Sequence, residues 1–431
     1  MRLVNTSISG RSIWDGSSKK RFEDRIDALN ETHYVPGPRV LAENDWPKDT
    51  IQKAIPFSTE KQLCDDLAFI ASHEKGVEYV TAVCIEHNSS ESCGLTVRLA
   101  ANEGICYRVQ SSVETILQLL EKCARKEISR DKCAGDIFDI IVKLNRNKLF
   151  GRLGSKFFRP PFYERRVKRE ELIPHFWTSI AASVPAELLD EELCAQIIKC
   201  NRSFLDLENS PGQTELRTDA LKAVVKDVFS ITGDGYCLPA RLTELGIPPS
   251  RVEVKDVVSI AKVANYWRVC ESLVHLSRSY RKLFSNLELK LIEPYGPVQS
   301  ISKKHDLYVH AEVQMIVHYE TTLDQPWPRA IGASKEACYL CDLFVKAHDH
   351  LYLTKSHRQI YNQWTIPDLN NYSPHTLRRF RRVISSMSET IAKDLSIARL
   401  NRIYRQHPPQ SSVALHQMIL PSASVTTIAS S

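Results

Sequence analysis

Two short stretches in the last third of the chain decide its interpretation: His310-Ala311-Glu312 and Cys338-Tyr339-Leu340-Cys341. Apolar residues recur at helical spacing after each stretch, so each predicts the start of a helix. Cys338 and Cys341, three residues apart, then share one helix face and can share a metal ion. His310 adds a nitrogen ligand from the start of the preceding helix. A His-Cys-Cys set suits Zn²⁺ better than Mg²⁺ or Ca²⁺.

Glu312 gives this predicted metal site a means of catalysis. It lies two residues beyond His310, where its carboxylate can face a water at the fourth position without binding the metal itself. In this interpretation Zn²⁺ lowers the pKa of the water, hydroxide attacks an amidine-like ring carbon, and Glu312 carries the proton to the departing amine. Unpaired N–H groups at the two helix starts favour thiolate over thiol at Cys338 and Cys341.

The spacing matches the zinc-deaminase signature, H-x-E followed by P-C-x-x-C, except that Ala337 replaces the proline. We expect Ser334 to open the second helix instead, as its N-cap, with Glu336 as an acidic residue of the first turn. Residues 313–337 leave room for a helix, a short strand and two turns, which is enough for a crossover between the motifs.

The same residues resemble the OTT-type deaminase-like proteins, a family common in filamentous fungi within the nucleic-acid and nucleotide deaminase superfamily. The resemblance rests on residues 308–314, 331–341 and 348–364. It implies a cytidine-deaminase-like α/β/α fold and Zn²⁺ as the cofactor. His310, Cys338 and Cys341 would be the zinc ligands and Glu312 the catalytic acid and base. It does not imply a particular substrate.

Outward from these motifs, periodicity predicts an α+β protein in which an α-rich region precedes the α/β/α domain. We predict an irregular N-terminal arm at 1–58, an α-rich domain with a β-hairpin at 59–285, a deaminase-like zinc domain at 286–406 and a disordered tail at 407–431. The hairpin is predicted from β-branched runs at 77–85 and 95–101. Further short strands are predicted at 287–292, 298–301, 329–332 and 351–354, and a long amphipathic helix at 377–398.

Composition limits the protein class without naming a substrate. The 431 residues are 43% hydrophobic and 25% charged, which is typical of a globular protein. The first residues form no apolar run long enough for a signal peptide, so we expect none, and no apolar run elsewhere approaches the roughly 18 residues of a membrane span. We therefore predict an intracellular protein, cytoplasmic or nuclear and not secreted, with no membrane partner. The net charge of +6 permits a nucleotide or nucleic-acid partner.

Cysteine usage and nearby histidines leave alternatives for the site. Ten of the twelve cysteines are scattered singly, and we expect them to be small, mostly buried hydrophobic residues. His348 and His350 with the cysteine pair would make a closed structural zinc site, and two buried cysteines without a metal is the third interpretation. Tyr339 and Trp364 can stack on a base, although core packing is the more common role of such residues.

Two functions follow from these alternatives. The first is a zinc-dependent hydrolase that deaminates a nucleobase in a nucleoside, nucleotide or nucleic acid. The second is a catalytically inactive interaction or scaffold protein that keeps the deaminase fold with a structural zinc. An intact Glu312 favours the enzyme.

Overall fold

The structure is a computed structural model that describes residues 12–34, 36–48, 54–88, 93–161, 171–181, 191–211, 214–233, 238–246, 255–322, 327–353 and 355–401. The predicted tail at 407–431 and the first eleven residues of the predicted arm lie outside these ranges. The chain divides into two compact units. Unit 1 combines Met1–Ser72, Gly76–Gln110 and Lys282–Ser411, and unit 2 consists mainly of Ser111–Arg281.

The described elements confirm the α+β class and the helical character of the N-terminal region. In chain order the helices are α1 (Ser18–Glu31), α2 (Phe57–Ala71), α3 (Tyr107–Ala124), α4 (Arg130–Leu153), α5 (Leu172–Ala181), α6 (Glu191–Glu208), α7 (Thr214–Ile231), α8 (Leu238–Glu244), α9 (Lys255–Ser279), α10 (Arg281–Phe284), α11 (Ala311–Thr321), α12 (Tyr339–His348) and α13 (Pro374–Asn401). The strands are β1 (Arg39–Val40), β2 (Thr81–Asn88), β3 (Gly94–Ala101), β4 (Leu287–Leu291), β5 (Val298–Gln299), β6 (Asp306–Leu307), β7 (Gly332–Ala333) and β8 (Lys355–Ser356).

Unit 1 is built on a four-stranded sheet of order β4-β3-β2-β7. β2 and β3 form the predicted antiparallel hairpin, β4 runs parallel to β3, and β7 is antiparallel to β2. The sequence pattern predicts this hairpin as part of the α-rich region, but its strands pair with β4 and β7 of unit 1. All eight residues of β3 are buried, which is the pattern of a central strand that needs neighbours on both sides. β3 and β4 are neighbours in this sheet, but unit 2 lies between them in the sequence.

The predicted irregular arm contains a regular helix. Phe22, Ile26 and Leu29 form the apolar stripe of α1 and lie in the same hydrophobic core as α11, α12 and α13. The stripe is only three residues long and is surrounded by charged residues, so the sequence offered little periodicity to detect. In the strand predicted at 351–354, Tyr352 forms a parallel bridge with Ala330 of the strand predicted at 329–332. β8 follows at Lys355–Ser356, where it pairs with β1.

Unit 2 is helical in its described part. α4, α7 and α9 pack on one another, and α6 packs on α7. Buried aliphatic and aromatic side chains fill the interior, among them Phe138, Phe204 and Tyr266. None of the helices in the described ranges of either unit has the length and apolar character needed to cross a bilayer.

Candidate metal centre

The two sequence motifs lie at the N-termini of α11 and α12, as predicted. His310 is the N-cap residue of α11 and Cys338 is the N-cap residue of α12, both with extended backbone angles. The Cys338 sulfur accepts a hydrogen bond from the Cys341 N–H at 3.4 Å, as an N-cap side chain does. Asn102, which follows β3, accepts from the Ala311 N–H at 2.8 Å and fixes the start of α11 against the sheet.

Three candidate ligand atoms converge between these helix starts. His310 Nδ1 lies 3.6 Å from Cys338 Sγ and 3.4 Å from Cys341 Sγ. Tetrahedral zinc with bonds of about 2.0 Å to nitrogen and 2.3 Å to sulfur holds such atoms about 3.5 Å apart. All three ligand atoms lie within 4.8 Å of one another, and this is the group that can hold a metal ion among the described histidines, cysteines and carboxylates. The residues present therefore fit Zn²⁺.

The electrostatics of the three side chains place the negative charge of the group on Cys338. Burial opposes a charge on Cys338, but hydrogen bonds from Cys341 and the charge of His310 hold the Cys338 pKa well below its ordinary value. Burial and the neighbouring Cys338 charge raise the pKa of Cys341. Burial lowers the pKa of His310, but the Cys338 thiolate outweighs that effect and raises it overall. A metal ion replaces the remaining protons, because zinc binds thiolate and neutral imidazole.

Trp364 contacts one of the three candidate ligands, the sulfur of Cys341. Its Nε1–H donates to Cys341 Sγ at 3.3 Å, and its side chain is 1% exposed. Tyr308, two residues before His310, forms a parallel bridge with Trp364, so the chain on both sides of the centre is fixed to the same tryptophan. Outer hydrogen bonds of this kind orient metal ligands and tune the charge on a ligating sulfur.

Glu312 lies beside the ligand group without belonging to it. Its Oε2 is 3.5 Å from Cys341 Sγ, and its side chain is almost completely buried. Burial, chiefly, raises the Glu312 pKa above its ordinary value. A carboxyl group in this position can accept and release a proton near neutral pH more readily than an exposed glutamate.

The structure does not support the closed Cys2His2 site. His348 ends α12, far along the helix from Cys338, and its Nε2 lies 2.9 Å from Glu320 Oε1. His350 Nε2 lies 2.9 Å from an Arg379 nitrogen. His348 lies seven residues beyond Cys341 on the same helix, about 10 Å away along its axis, and both histidines belong to a separate polar cluster with Glu320 and Arg379.

Ser334 and Tyr339 have other contacts than a helix cap or a base. Ser334 is not the N-cap of α12; its hydroxyl accepts from the Thr81 N–H at 3.0 Å, and Cys338 caps the helix instead. Tyr339 is buried and donates from its hydroxyl to Asp394 at 2.6 Å, so it is a core residue like Trp364.

The ten single cysteines, which we expect to be mostly buried, are so in part. Cys64, Cys84, Cys123, Cys133, Cys200 and Cys270 are buried, Cys93 and Cys106 are exposed, Cys194 is half-buried, and Cys237 lies outside the described residues.

Residues that sequence reasoning did not single out also surround the centre. Asn102 lies 208 positions before His310 in the chain, and nothing in a single sequence marks an asparagine that caps a distant helix. His357 and Tyr361 carry no motif or spacing that marks them in the sequence. Both are aromatic residues of the segment that follows β8.

Comparison with known proteins supports a deaminase domain at this place. A family model described as OTT_1508-like deaminase matches residues 309–368, which include all three candidate ligands and Glu312. No curated protein and no solved structure matches the chain. The match covers the two motifs and the segment that carries Trp364, so the family likeness and the geometry concern the same site.

Proposed function

We propose that this protein is a zinc-dependent hydrolytic deaminase that acts on an amino-substituted nucleobase. The observation that carries the proposal is the convergence of His310 Nδ1 with the Cys338 and Cys341 sulfurs at zinc spacing, with the Glu312 carboxyl beside them and outside the ligand group. A closed structural site needs a fourth protein ligand. A catalytic site needs an adjacent acid and base, which this chain places there.

The chain's own residues then have distinct parts in the reaction. Zinc, when bound, supplies a Lewis-acidic centre that activates water. The imidazole of His310 and the two thiolates hold the metal, and the Trp364 N–H restrains one of those thiolates. Glu312 accepts a proton from the attacking water and delivers it to the departing amino group. Burial raises the pKa of this carboxyl, which makes it a better proton acceptor than an exposed glutamate.

The substrate and the finer family assignment are part of the same proposal. We propose that the chain belongs to the fungal OTT branch of the nucleic-acid and nucleotide deaminase superfamily; the match at 309–368 supports the deaminase family itself. The substrate class is a cytosine or adenine base in a nucleoside, nucleotide or nucleic acid. The reaction breaks the C–N bond of a cyclic amidine, and we expect it to take place inside the cell.

The test combines metal analysis with ammonia release. Purified protein should contain one zinc per chain and release ammonia from one or more cytosine or adenine substrates. Glu312→Gln should keep the zinc and lower turnover by about 10²- to 10⁴-fold, the usual contribution of a positioned acid and base. Glu293→Gln, which changes an exposed acid of unit 1, serves as the matched control and should behave as the wild type.

Three results would contradict the enzyme proposal. Protein that binds no zinc would exclude the metal centre. Activity that survives Glu312→Gln would exclude the assigned acid and base. Zinc-loaded protein that releases no ammonia from any of the bases would instead support an inactive scaffold with a structural zinc.

A further inference from the structure

The segment that follows β8 passes directly beside Cys338. On one side of this cysteine the Ser356 hydroxyl donates to the Ala337 carbonyl at 2.8 Å. On the other side the Tyr339 N–H donates to the Gln359 carbonyl at 3.0 Å. The residues between these two attachment points are therefore held against the stretch of backbone that carries Cys338.

His357 lies between the two attachment points with a defined ring orientation. Its Nδ1 accepts a hydrogen bond from the Gln359 N–H at 2.9 Å, so the neutral ring carries its proton on Nε2. Arg358 between them adopts a left-handed conformation with φ of 54°, and its N–H donates to Ser356 Oγ at 3.1 Å. Within the described part of the chain, His357 Nε2 has no hydrogen-bond partner. The turn thus presents a fixed N–H donor.

Tyr361 provides an aromatic surface next to this donor. Its ring lies 5.8 Å from the His357 ring, centroid to centroid, and its side chain is 41% exposed. The Tyr361 hydroxyl donates to Gln359 Oε1 at 3.2 Å, which limits rotation of the ring. An exposed aromatic ring that is held in place is the kind of surface on which a base stacks.

The Cys338 thiolate affects the pKa values of His357 and Tyr361, as is expected of residues near it. Burial lowers the pKa of His357, although the Cys338 thiolate opposes this effect. Burial raises the pKa of Tyr361, and the same thiolate raises it further. Both pKa shifts favour the uncharged form of the ring.

We propose that His357 and Tyr361 bind the substrate base, with the Nε2–H of His357 donating to a ring acceptor and the Tyr361 ring stacking on the base. The inference rests on the proposed function and deepens it by naming residues that touch the substrate. The ligand chemistry is a planar heterocycle with a hydrogen-bond acceptor near its amino-bearing carbon. Cytosine offers a ring carbonyl and a ring nitrogen, and adenine offers ring nitrogens.

Two substitutions at position 357 distinguish the effect of losing the Nε2–H donor from the effect of losing the turn. In His357→Asn the shorter side chain can still accept the Gln359 N–H, as asparagine does two residues before a backbone amide, but the distal donor is lost. In His357→Gln the amide nitrogen reaches the position of Nε2 and restores a donor. Tyr361→Ala removes the stacking ring. His375→Asn and Tyr107→Ala, at exposed positions of unit 1, are the matched controls.

Each variant is compared with the wild type in two ways. Turnover of cytidine, adenosine and short single-stranded DNA and RNA is measured on the zinc-loaded chain. Equilibrium binding of the same compounds is measured in the zinc-loaded Glu312→Gln background. His357→Asn and Tyr361→Ala should each weaken binding and raise KM about tenfold, with zinc content unchanged. His357→Gln should recover most of the loss, and the two control variants should match the wild type.

The outcomes distinguish this inference from the proposed function. If the wild type turns over a base and His357→Asn and Tyr361→Ala bind it normally, the inference is wrong and the function stands. If no base is turned over but binding occurs and depends on both residues, the inference stands and the deaminase function fails. If the zinc-loaded protein neither binds nor converts any of these compounds, both are refuted. A zinc loss in either variant would show that the residue supports the metal site instead.

Discussion

Gly332→Ala is the substitution for which the structure gives the clearest steric expectation. Gly332 begins β7, which crosses close to α2. A Cβ atom added there would lie 2.2 Å from the carbonyl carbon of Cys64 and 2.4 Å from the amide nitrogen of Asp65. Real Cβ atoms essentially never approach other heavy atoms closer than 3.0 Å. The strand and the helix must therefore separate by about 0.8 Å, the difference between 3.0 and 2.2 Å, because the obstructing atoms are backbone and cannot rotate away.

β7 forms few hydrogen bonds, so moving it away from α2 weakens a large part of its pairing. β7 pairs with β2 through Ala82 and Val83, and the Ser334 N–H donates to the Thr81 carbonyl at 3.0 Å. Overpacking a core site costs roughly 1–3 kcal/mol, and a weakened backbone hydrogen bond adds about 1 kcal/mol. We expect Gly332→Ala to lower the free energy of unfolding of unit 1 by about 2–4 kcal/mol. Zinc affinity should fall as well, since β7 leads within six residues to Cys338.

Hydrogen exchange in increasing urea measures this effect on unit 1 separately from unit 2. Peptides from 81–101 and 331–345 should lose protection at a lower urea concentration in Gly332→Ala than in the wild type, whereas peptides from α4 and α9 should be unchanged. Gly296→Ala is the matched control, because an added Cβ at that glycine meets no atom within 4 Å. If Gly332→Ala keeps wild-type protection and zinc affinity, the packing of β7 against α2 described above is incorrect.

Two further predictions concern the metal centre and the polar cluster at the end of α12. Trp364→Phe removes the N–H that contacts Cys341, and zinc affinity measured by chelator competition should fall roughly 10- to 100-fold; an unchanged affinity would refute the orienting role. Burial lowers the pKa of His348. Burial would raise the pKa of Glu320, but the contacts of Glu320 with His348 and Arg379 outweigh that effect and lower it. Both side chains therefore take up protons more readily in the unfolded chain than in the folded chain. Unit 1 should lose stability as the pH falls below 6.5, the ordinary pKa of histidine, and should lose more as the pH falls below 4.5, the ordinary pKa of glutamate. Urea midpoints at pH 7.5 and 5.0 check this, and a pH loss that is not reduced in His348→Gln would contradict it.

The convergence of His310, Cys338 and Cys341 is predictable from the sequence because the signals for it are local. Helical phase places Cys338 and Cys341 on one face, and the polar groups at a helix start need no distant partner to act on a thiol. The pairing of His310 with the cysteines required only one crossover between the motifs. Even so, the cap of α12 was assigned to Ser334, because a sequence shows which residues can cap a helix but not which of them the sheet uses elsewhere.

The arrangement of the sheet was not predictable from the same patterns. The hairpin itself was found, since β-branched runs and a polar turn are local signals. Its partner β4, however, begins 186 residues after β3 ends, beyond the whole of unit 2. Periodicity identifies a strand but carries no information about which distant strand it pairs with, so a helical insertion between two strands looks like a separate preceding domain.

Trp364 shows why burial and function are not alternatives at this site. The sequence offered stacking on a base or core packing for this residue, and its ring does pack in the core, 5.9 Å from the ring of Phe344 and 6.4 Å from that of Phe22. The same side chain contacts Cys341 through its single polar atom. A core that is rigid around the indole therefore also fixes the direction of the N–H and of the sulfur it meets. Phenylalanine at this position would keep most of the packing and lose only the polar contact, so its effect on zinc affinity should exceed its effect on stability.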